Sequence, residues 1–453
     1  MNENIFPFRV LLKPSPHFIS KQQYLDFLCG MKYTNYANPS IVIKAKPSDF
    51  VVQEKLDQVT TLPLHPKPWF KLPRENDQEG SIIHGILIKD NIETFDLISK
   101  VQKLNKNKKI KIKISGVKDK RAITVQRITI QGLTKKAVQE TFQTITGASI
   151  KALTFRSTML NKGEHWGNEF CIKGTSKSQT AKELIQHISN KFSENKEILI
   201  PNYFGRQRFG WDGPSNLLMG YYLLKRDPIN AIINYITYQF ANDDKDLILE
   251  QKRMLEAVKN HSLNDLGRKN EYSYLRRYYN IIKDLVKEQY NNPWKYLYYF
   301  PKPVIKYCIK SVQSFFFNLY ITNRLQLDPQ LQDNISGERN MNNYLSAPII
   351  GCDSHRRIKR KSECMNRISN LLDPLEIDFG NFDFKDQKPI FFRFKNSWRP
   401  ITIPYQDLEY KKSGIFSRNS NRIKIKVSLP SGCYVTSFLR EFFDLEIPDT
   451  DNF

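Results

Sequence analysis

The chain has 453 residues, with 70 Lys+Arg against 46 Asp+Glu and a formal charge of +24 at neutral pH. It is longer than one hydrophobic core usually supports, so two domains or one domain with a large insertion are expected, and 40% hydrophobic and 12% aromatic content excludes a disordered chain. The charge favours a polyanionic partner, nucleic acid first, while the lack of any apolar run near the roughly 20 residues of a spanning helix and of a signal-peptide pattern at the start sets membranes and secretion aside.

In chain order, a polar, proline-marked leader precedes Ile41 to Glu54, which reads as two short strands around a Lys-Pro break; ordered structure is expected to begin there. Leu62 to Pro73 carries Pro63, Pro66, Pro68 and Pro73, too many for a helix or central strand, so a loop or arm is predicted. A strand follows at Ile82 to Ile88, with His84 expected to be packed and hydrogen-bonded. Thr94 is placed as the cap of a helix whose Phe95, Leu97, Ile98, Val101 and Leu104 recur at helical spacing. The strand Lys109 to Ile114 alternates, so Lys109, Lys111 and Lys113 share a basic face opposite Ile110, Ile112 and Ile114. A strand at Ile123 to Ile130 and a helix at Thr134 to Ile145 complete an α+β pattern. From Ser215 to Tyr320 helical spacing dominates, and strand alternation returns at Ile423 to Leu429 before a helix near Tyr434. The middle therefore reads as a mainly helical insertion into a body built from both ends of the chain.

The six cysteines and seven histidines are dispersed, without CxxC or a Cys/His set, so reduced thiols and no metal are expected. Walker, GxGxxG, GxSxG and HExxH signatures are absent. In SGVKDKRAITVQ, Asp119 stands between Lys118 and Lys120 with Arg121 beside it, and positive neighbours would keep such a carboxylate ionised, as a nucleophile or general base requires. Spacing alone suits an exposed aspartate in a tight turn somewhat better. PNYFGRQRFG interleaves Tyr203, Phe204 and Phe209 with Arg206 and Arg208, which suits unstacked bases and phosphates and equally an interdomain turn with core aromatics. WGNEF offers Asn168, an amide able to read a uracil edge, two residues from Phe170. The basic stretches Lys103 to Lys113 and His355 to Lys361 could follow an RNA backbone.

Read together and in order, IKAKPSDFVVQE, SGVKDKRAITVQ, WGNEF, PNYFGRQRFG, SVQSFFFN and LPSGCYVTSFLRE resemble the signature blocks of the TruD family of pseudouridine synthases, from about Ile41 to Glu441. PIIGCD at Pro348 to Asp353 is similar to a block of the archaeal and eukaryotic branch. The leader, the proline-rich arm and the unusually basic His355 to Pro374 match nothing in the pattern. The resemblance implies an α+β fold: a catalytic domain with a mixed, mainly antiparallel sheet flanked by helices, plus an inserted, mainly helical α/β TRUD domain. The expected division is a leader over 1–35, the catalytic domain over 36–203 and 409–453, and the insertion over 204–408. It implies a catalytic Asp119 supported by Lys44, Lys118 and Gln126, a uracil held by Asn168 and Phe170 with Phe170 stacking, and RNA positioned by Tyr203, Phe204, Arg206, Arg208, Lys109, Lys111 and Lys113. It implies no cofactor and an RNA partner: tRNA, typically uridine 13 of the D arm, with small nuclear and messenger RNA as further targets of the eukaryotic branch. A monomer inside the cell, cytoplasmic or nuclear, is the expectation.

Overall fold

The computed structural model describes residues 6–448 apart from 13–20, 33–37, 68–69, 71, 73–80, 107–108, 195–198, 211–212, 241–242, 288–291, 342 and 414–420. Its elements are α1 (Lys21–Leu28), β1 (Ser40–Val42), β2 (Phe50–Lys55), β3 (Ile82–Asp90), α2 (Thr94–Leu104), β4 (Lys111–Ile114), β5 (Ile123–Gln131), α3 (Lys135–Gln143), β6 (Ala148–Arg156), β7 (Gly167–Thr175) and α4 (Ala181–Glu194). The helical section follows with α5 (Ser215–Leu224), α6 (Pro228–Thr237), α7 (Lys245–Lys259), α8 (Leu263–Leu266), α9 (Tyr279–Lys287) and α10 (Lys302–Leu327). Then come β8 (Arg339–Met341), β9 (Tyr344–Ile349), α11 (Ser354–Arg357), α12 (Glu363–Leu372), β10 (Asp383–Phe384), β11 (Phe392–Arg393) and β12 (Ser397–Pro400). The chain ends through β13 (Gln406–Lys412), β14 (Arg422–Pro430), α13 (Val435–Leu439) and β15 (Asp444–Glu446).

A 10-stranded sheet runs β13-β14-β7-β2-β5-β3-β6, with β4 added on β5 and the β1–β15 pair joined through β7. The β2–β5 and β1–β15 pairings are parallel and the others antiparallel, so strands from both ends of the chain interleave in one mixed sheet. The period-2 pattern explains the packing: Ile423, Ile425, Val427 and Leu429 of β14 face a core shared with Phe438, Leu439 and Leu184, while Ile83, Leu87, Ile128 and Ile130 pack on Leu97, Val101, Val138 and Phe142. The helical section has its own large core, centred on α5 and α10, with β8, β9 and β12 forming a small sheet beside it. Among the described residues no helix is long and apolar enough to cross a membrane.

The two parts meet where the chain leaves and rejoins the main sheet. Asn202 donates its backbone N–H to Ile401 O at 2.8 Å, and Ile403 donates to Ile200 O at 2.7 Å. Asn318, the last residue of SVQSFFFN, bonds Phe204 N at 2.8 Å through Oδ1, and Phe204 O and Cys29 O, each at 3.0 Å, through Nδ2. Buried Arg399 donates to Asn202 O (3.2 Å), Asn202 Oδ1 (2.6 Å) and Gly432 O (2.8 Å), tying β12 to the turn before α13.

Two expectations about elements are corrected. Order begins before Ile41, because Phe6, Phe8 and Leu12 and then Tyr24 to Cys29 are buried in the helical core. Their apolar spacing is short and proline-interrupted, so only the partner surface reveals their burial. The cap of α2 is Glu93, whose carboxylate accepts from Phe95 N at 2.5 Å and Asp96 N at 3.0 Å, while Thr94 is the first helical residue and buried. A longer acidic side chain there satisfies the same free N–H groups and adds a favourable dipole interaction. His84 is buried and bonded to Thr158 O at 2.7 Å. The described part of the proline-rich stretch has no helix and anchors Leu62 and Leu72 against Ile86 and Val125, whereas Pro68 and Pro73 lie outside the described residues.

Candidate active site

Asp119 sits in the loop between β4 and β5, where the turn between β1 and β2 and the end of β3 each bring a lysine to it. From the turn between β1 and β2, Lys44 Nζ reaches Asp119 Oδ1 at 2.9 Å. Lys44 adopts φ +57°, a left-handed backbone unusual for a residue with a Cβ, and such strain is held where the surroundings over-determine it. Its ammonium also lies 4.0 Å from the centroid of the Phe50 ring, which fixes it from below. The Asp119 side chain keeps 26% of its surface exposed, so solvent or a substrate can reach it.

The loop backbone is held from inside the sheet. Lys89, at the end of β3 and without exposed surface, donates to Asp119 O at 2.7 Å, Lys118 O at 3.3 Å and Ile92 O at 3.0 Å. Burial, opposed by the charges of Asp119 and Glu93, pulls its pKa down to about 8. For Asp119, burial alone would raise the pKa, but the charge and hydrogen bond of Lys44, followed by the charge of Lys89, hold it below the ordinary carboxylate value. The carboxylate is therefore ionised throughout the neutral range.

A second network orients the neighbouring amide. Fully buried Glu54 accepts from Arg127 Nε at 2.9 Å and Ser115 Oγ at 2.6 Å, with Lys118 Nζ at 3.9 Å. Lys118 donates to Asn168 Oδ1 at 2.6 Å. An ammonium has no acceptor, so the amide oxygen must face it, and the Asn168 NH2 is the group left for a ligand. In the register of β7, Asn168 and Phe170 are opposite Glu54 and Val52 of β2, one face apart from Glu169.

The sequence-predicted residues divide. Lys44 with Asp119, and Lys118 with Asn168, are brought into direct contact, and the two pairs adjoin through the Lys118–Asp119 peptide. Gln126 is buried on β5 with neither amide atom hydrogen-bonded among the described residues. Phe170 is only 6% exposed and packs edge-on against Phe50 at 6.1 Å, so the stacking face expected of it is largely covered and its evident work is to back Phe50 beneath Lys44. Tyr203 and Phe204 are corrected as RNA-stacking residues because both are core: the Tyr203 hydroxyl meets Thr322 Oγ1 at 3.0 Å, and Phe204 lies between Arg399, 4.0 Å from its centroid, and Phe317. Arg206 and Arg208 are partly exposed in a short 3-10 turn, and Lys109, Lys111 and Lys113 are exposed along β4 and the residues before it.

Sequence reasoning missed Glu54, Lys89 and His165. Glu54 closes the DFVVQE block and Lys89 is a charge inside the apolar run IIHGILIKD, a signal that a buried partner was waiting. Burial, reinforced by the charges of Lys118 and Arg127, drops the His165 pKa to about 4, so the ring is neutral beside the site.

A sequence model of the family described as tRNA pseudouridine synthase D (TruD) matches residues 30–344. The chain belongs to the TruD family. Its family is one of isomerases, and among curated relatives a protein of Methanococcoides burtonii named "Probable tRNA pseudouridine synthase D" is 24% identical over 82% of this chain and 90% of its own. A relative of the same name from Saccharolobus solfataricus is 28% identical over 64% of this chain and 69% of its own. The TruD crystal structure from Methanosarcina mazei superposes with a TM-score of 0.65 at 18% identity, covering 92% of this chain and 96% of that one, a likeness of fold.

Proposed function

We propose that this TruD-family enzyme converts a specific uridine of tRNA, uridine 13 in the reading that the family suggests, to pseudouridine, with Asp119 as the catalytic group. The observation that carries the assignment is the Lys44–Asp119 pair at 2.9 Å on a quarter-exposed carboxylate, next in the chain to Lys118, whose ammonium holds the Asn168 amide oxygen at 2.6 Å. The reaction breaks the N1–C1′ bond, turns the uracil, joins C5 to C1′ and releases the C5 hydrogen as a proton, so no redox partner is needed. The base must leave its helical stack, at about a few kcal/mol, before the sugar is accessible.

In this reading Lys44 holds one carboxylate oxygen, and the other acts on the ribose, by attack at C1′ or by taking the C2′ proton. Asn168 donates from Nδ2 to a uracil carbonyl and keeps the detached base in place while it turns. Glu54 and Lys118 act through Asn168, and Lys89 acts through the loop backbone, as positioning residues.

The test is Asp119→Asn, assayed by tritium release from tRNA labelled at uridine C5 and by chemical mapping of pseudouridine, with RNA affinity measured in parallel. Product lost at unchanged affinity is the expected result. Retained conversion by the purified variant removes Asp119 from the mechanism, and a wild-type chain that binds RNA without converting it leaves only an RNA-binding or RNA-folding role.

A further inference from the structure

We propose that the outward stripe of α10, with Arg208 and Phe392 beside it, is a track for the unpaired RNA strand next to the target nucleotide. This inference rests on the function proposed above and extends it from Arg208, a residue of PNYFGRQRFG, to Lys306, Tyr307, Lys310 and Phe392, which lie outside the Asp119 network.

Most of α10 is core: Ile305, Cys308, Ile309, Ser311 and Val312 are buried. Lys306, Tyr307 and Lys310 share the opposite side at helical spacing, with Tyr307 36% exposed and Lys310 exposed. Arg208 docks at the end of this stripe, donating from Nε to Ser314 Oγ at 3.1 Å. Its guanidinium carbon lies 4.5 Å from the Tyr307 ring centroid, and its terminal nitrogens have no protein acceptor among the described residues. At the other end Lys306 Nζ sits 4.0 Å over the ring of Phe392, itself 38% exposed.

Charge and shape both point to a nucleic-acid strand. Among the described residues no carboxylate pairs with Arg208, Lys306 or Lys310, and burial followed by the charges of Arg208, Lys162 and Lys306 lowers the Lys310 pKa. A cation cluster without counter-ions opposes its own charging, and a polyanion relieves that repulsion. Lys306 and Lys310 are separated by one helical turn, about 6 Å along the axis, and alternate with aromatic faces. Cations and exposed rings in alternation fit a flexible strand whose phosphates lie on the lysines and whose bases stack on the rings; a duplex keeps its bases stacked on one another. The track also leads toward α13, because the Arg208 guanidinium lies 5.6 Å from the centroid of the Phe204 ring, and that ring meets Tyr434, just before α13, edge-on at 6.1 Å.

The experiment uses full-length protein carrying Asp119→Asn, so that RNA is bound without turnover, and measures Kd against salt for a tRNA transcript and for a short oligouridylate. In that background, Lys306→Gln with Lys310→Gln should weaken both and lower the log–log salt slope by about 1.4, from about 0.7 for each single-strand phosphate no longer neutralised. Tyr307→Ala with Phe392→Ala should weaken both by about 30-fold or more and leave the slope unaltered. Lys252→Gln with Lys259→Gln, two exposed lysines of α7, controls for overall charge. Equal losses from the α7 and α10 pairs would reduce the effect to diffuse attraction and overturn the proposal, as would unchanged oligouridylate affinity in the aromatic variant. Wild-type protein assayed for product on the same transcript separates the two readings: absent product refutes the proposed reaction, while the binding series alone decides the track.

Discussion

Replacing Lys89 with methionine isolates what the buried ammonium does for the Asp119 loop. Methionine has similar reach but no donors, so the carbonyls of Ile92, Lys118 and Asp119 each lose a bond of 2.7 to 3.3 Å. At about 2 kcal/mol for each buried acceptor left unsatisfied, that is about 6 kcal/mol. Against it stands the burial of the ammonium, whose pKa falls from 10.5 to about 8, a preference against the charged form of roughly 3 kcal/mol. The net destabilisation expected in urea unfolding is therefore about 3 kcal/mol. The sign of the pH dependence is specific. Because Lys89 titrates lower when folded than when unfolded, the folded state binds fewer protons between about pH 8 and 10.5, and its contribution to stability rises across that window. Activity should move the other way, falling as pH passes about 8, since the neutral amine has two hydrogens for three carbonyls and no charge to share with Asp119. Tritium release from C5-labelled tRNA across the pH range reads both limbs. In Lys89→Met the alkaline limb should disappear and the acid limb shift upward, because one of the charges depressing the Asp119 pKa is gone. An alkaline limb that survives unchanged in the variant refutes the reasoning.

Two further substitutions separate orientation from architecture. Asn168→Asp keeps an acceptor for Lys118 and so preserves the fold, but exchanges the amide NH2 for an oxygen; kcat/KM should fall on the order of 100-fold at unchanged RNA affinity, and activity within twofold of wild type would sink the role given to Asn168. Arg399→Met leaves two backbone carbonyls and the Asn202 amide oxygen without their donor, so the urea midpoint should correspond to a loss of about 2–4 kcal/mol, and an unmoved midpoint would show that the clamp contributes nothing.

What was legible depended on how local the cause was. Alternation in IKIKVSL and ITVQRITIQ, and the helical spacing of Leu97 and Val101, are written by the faces these segments bury, and they emerged as strands and helix at nearly the expected limits. Asp119 stood out for its charged neighbours in SGVKDKRAITVQ, yet that spacing alone suited an exposed turn better, and the cations that face its carboxylate, Lys44 and Lys89, come from distant segments. Lys44 was reached only by resemblance, since 75 residues separate it from the carboxylate it pairs with. The aromatics of PNYFGRQRFG show where local reading stops: whether Tyr203 faces a base or a core depends on Thr322 and Arg440, which no spacing announces. Leader residues Phe6 and Phe8 were missed for the same reason, as their burial is supplied by Tyr238, Tyr221 and Phe315.

The way the helical part joins the sheet also bears on assembly. Its two connections run side by side, with Pro201 bridged to Thr402, so once that lobe has formed, the strands on either side of it are joined as if by a tight hairpin. Closure entropy grows with the logarithm of loop length, and a stretch of roughly 200 residues reduced to an effective handful relieves the sheet of about 3 kcal/mol of ordering. The same geometry makes this seam a natural place to graft a lobe of different size, provided the graft keeps the arginine that clamps Asn202 and Gly432.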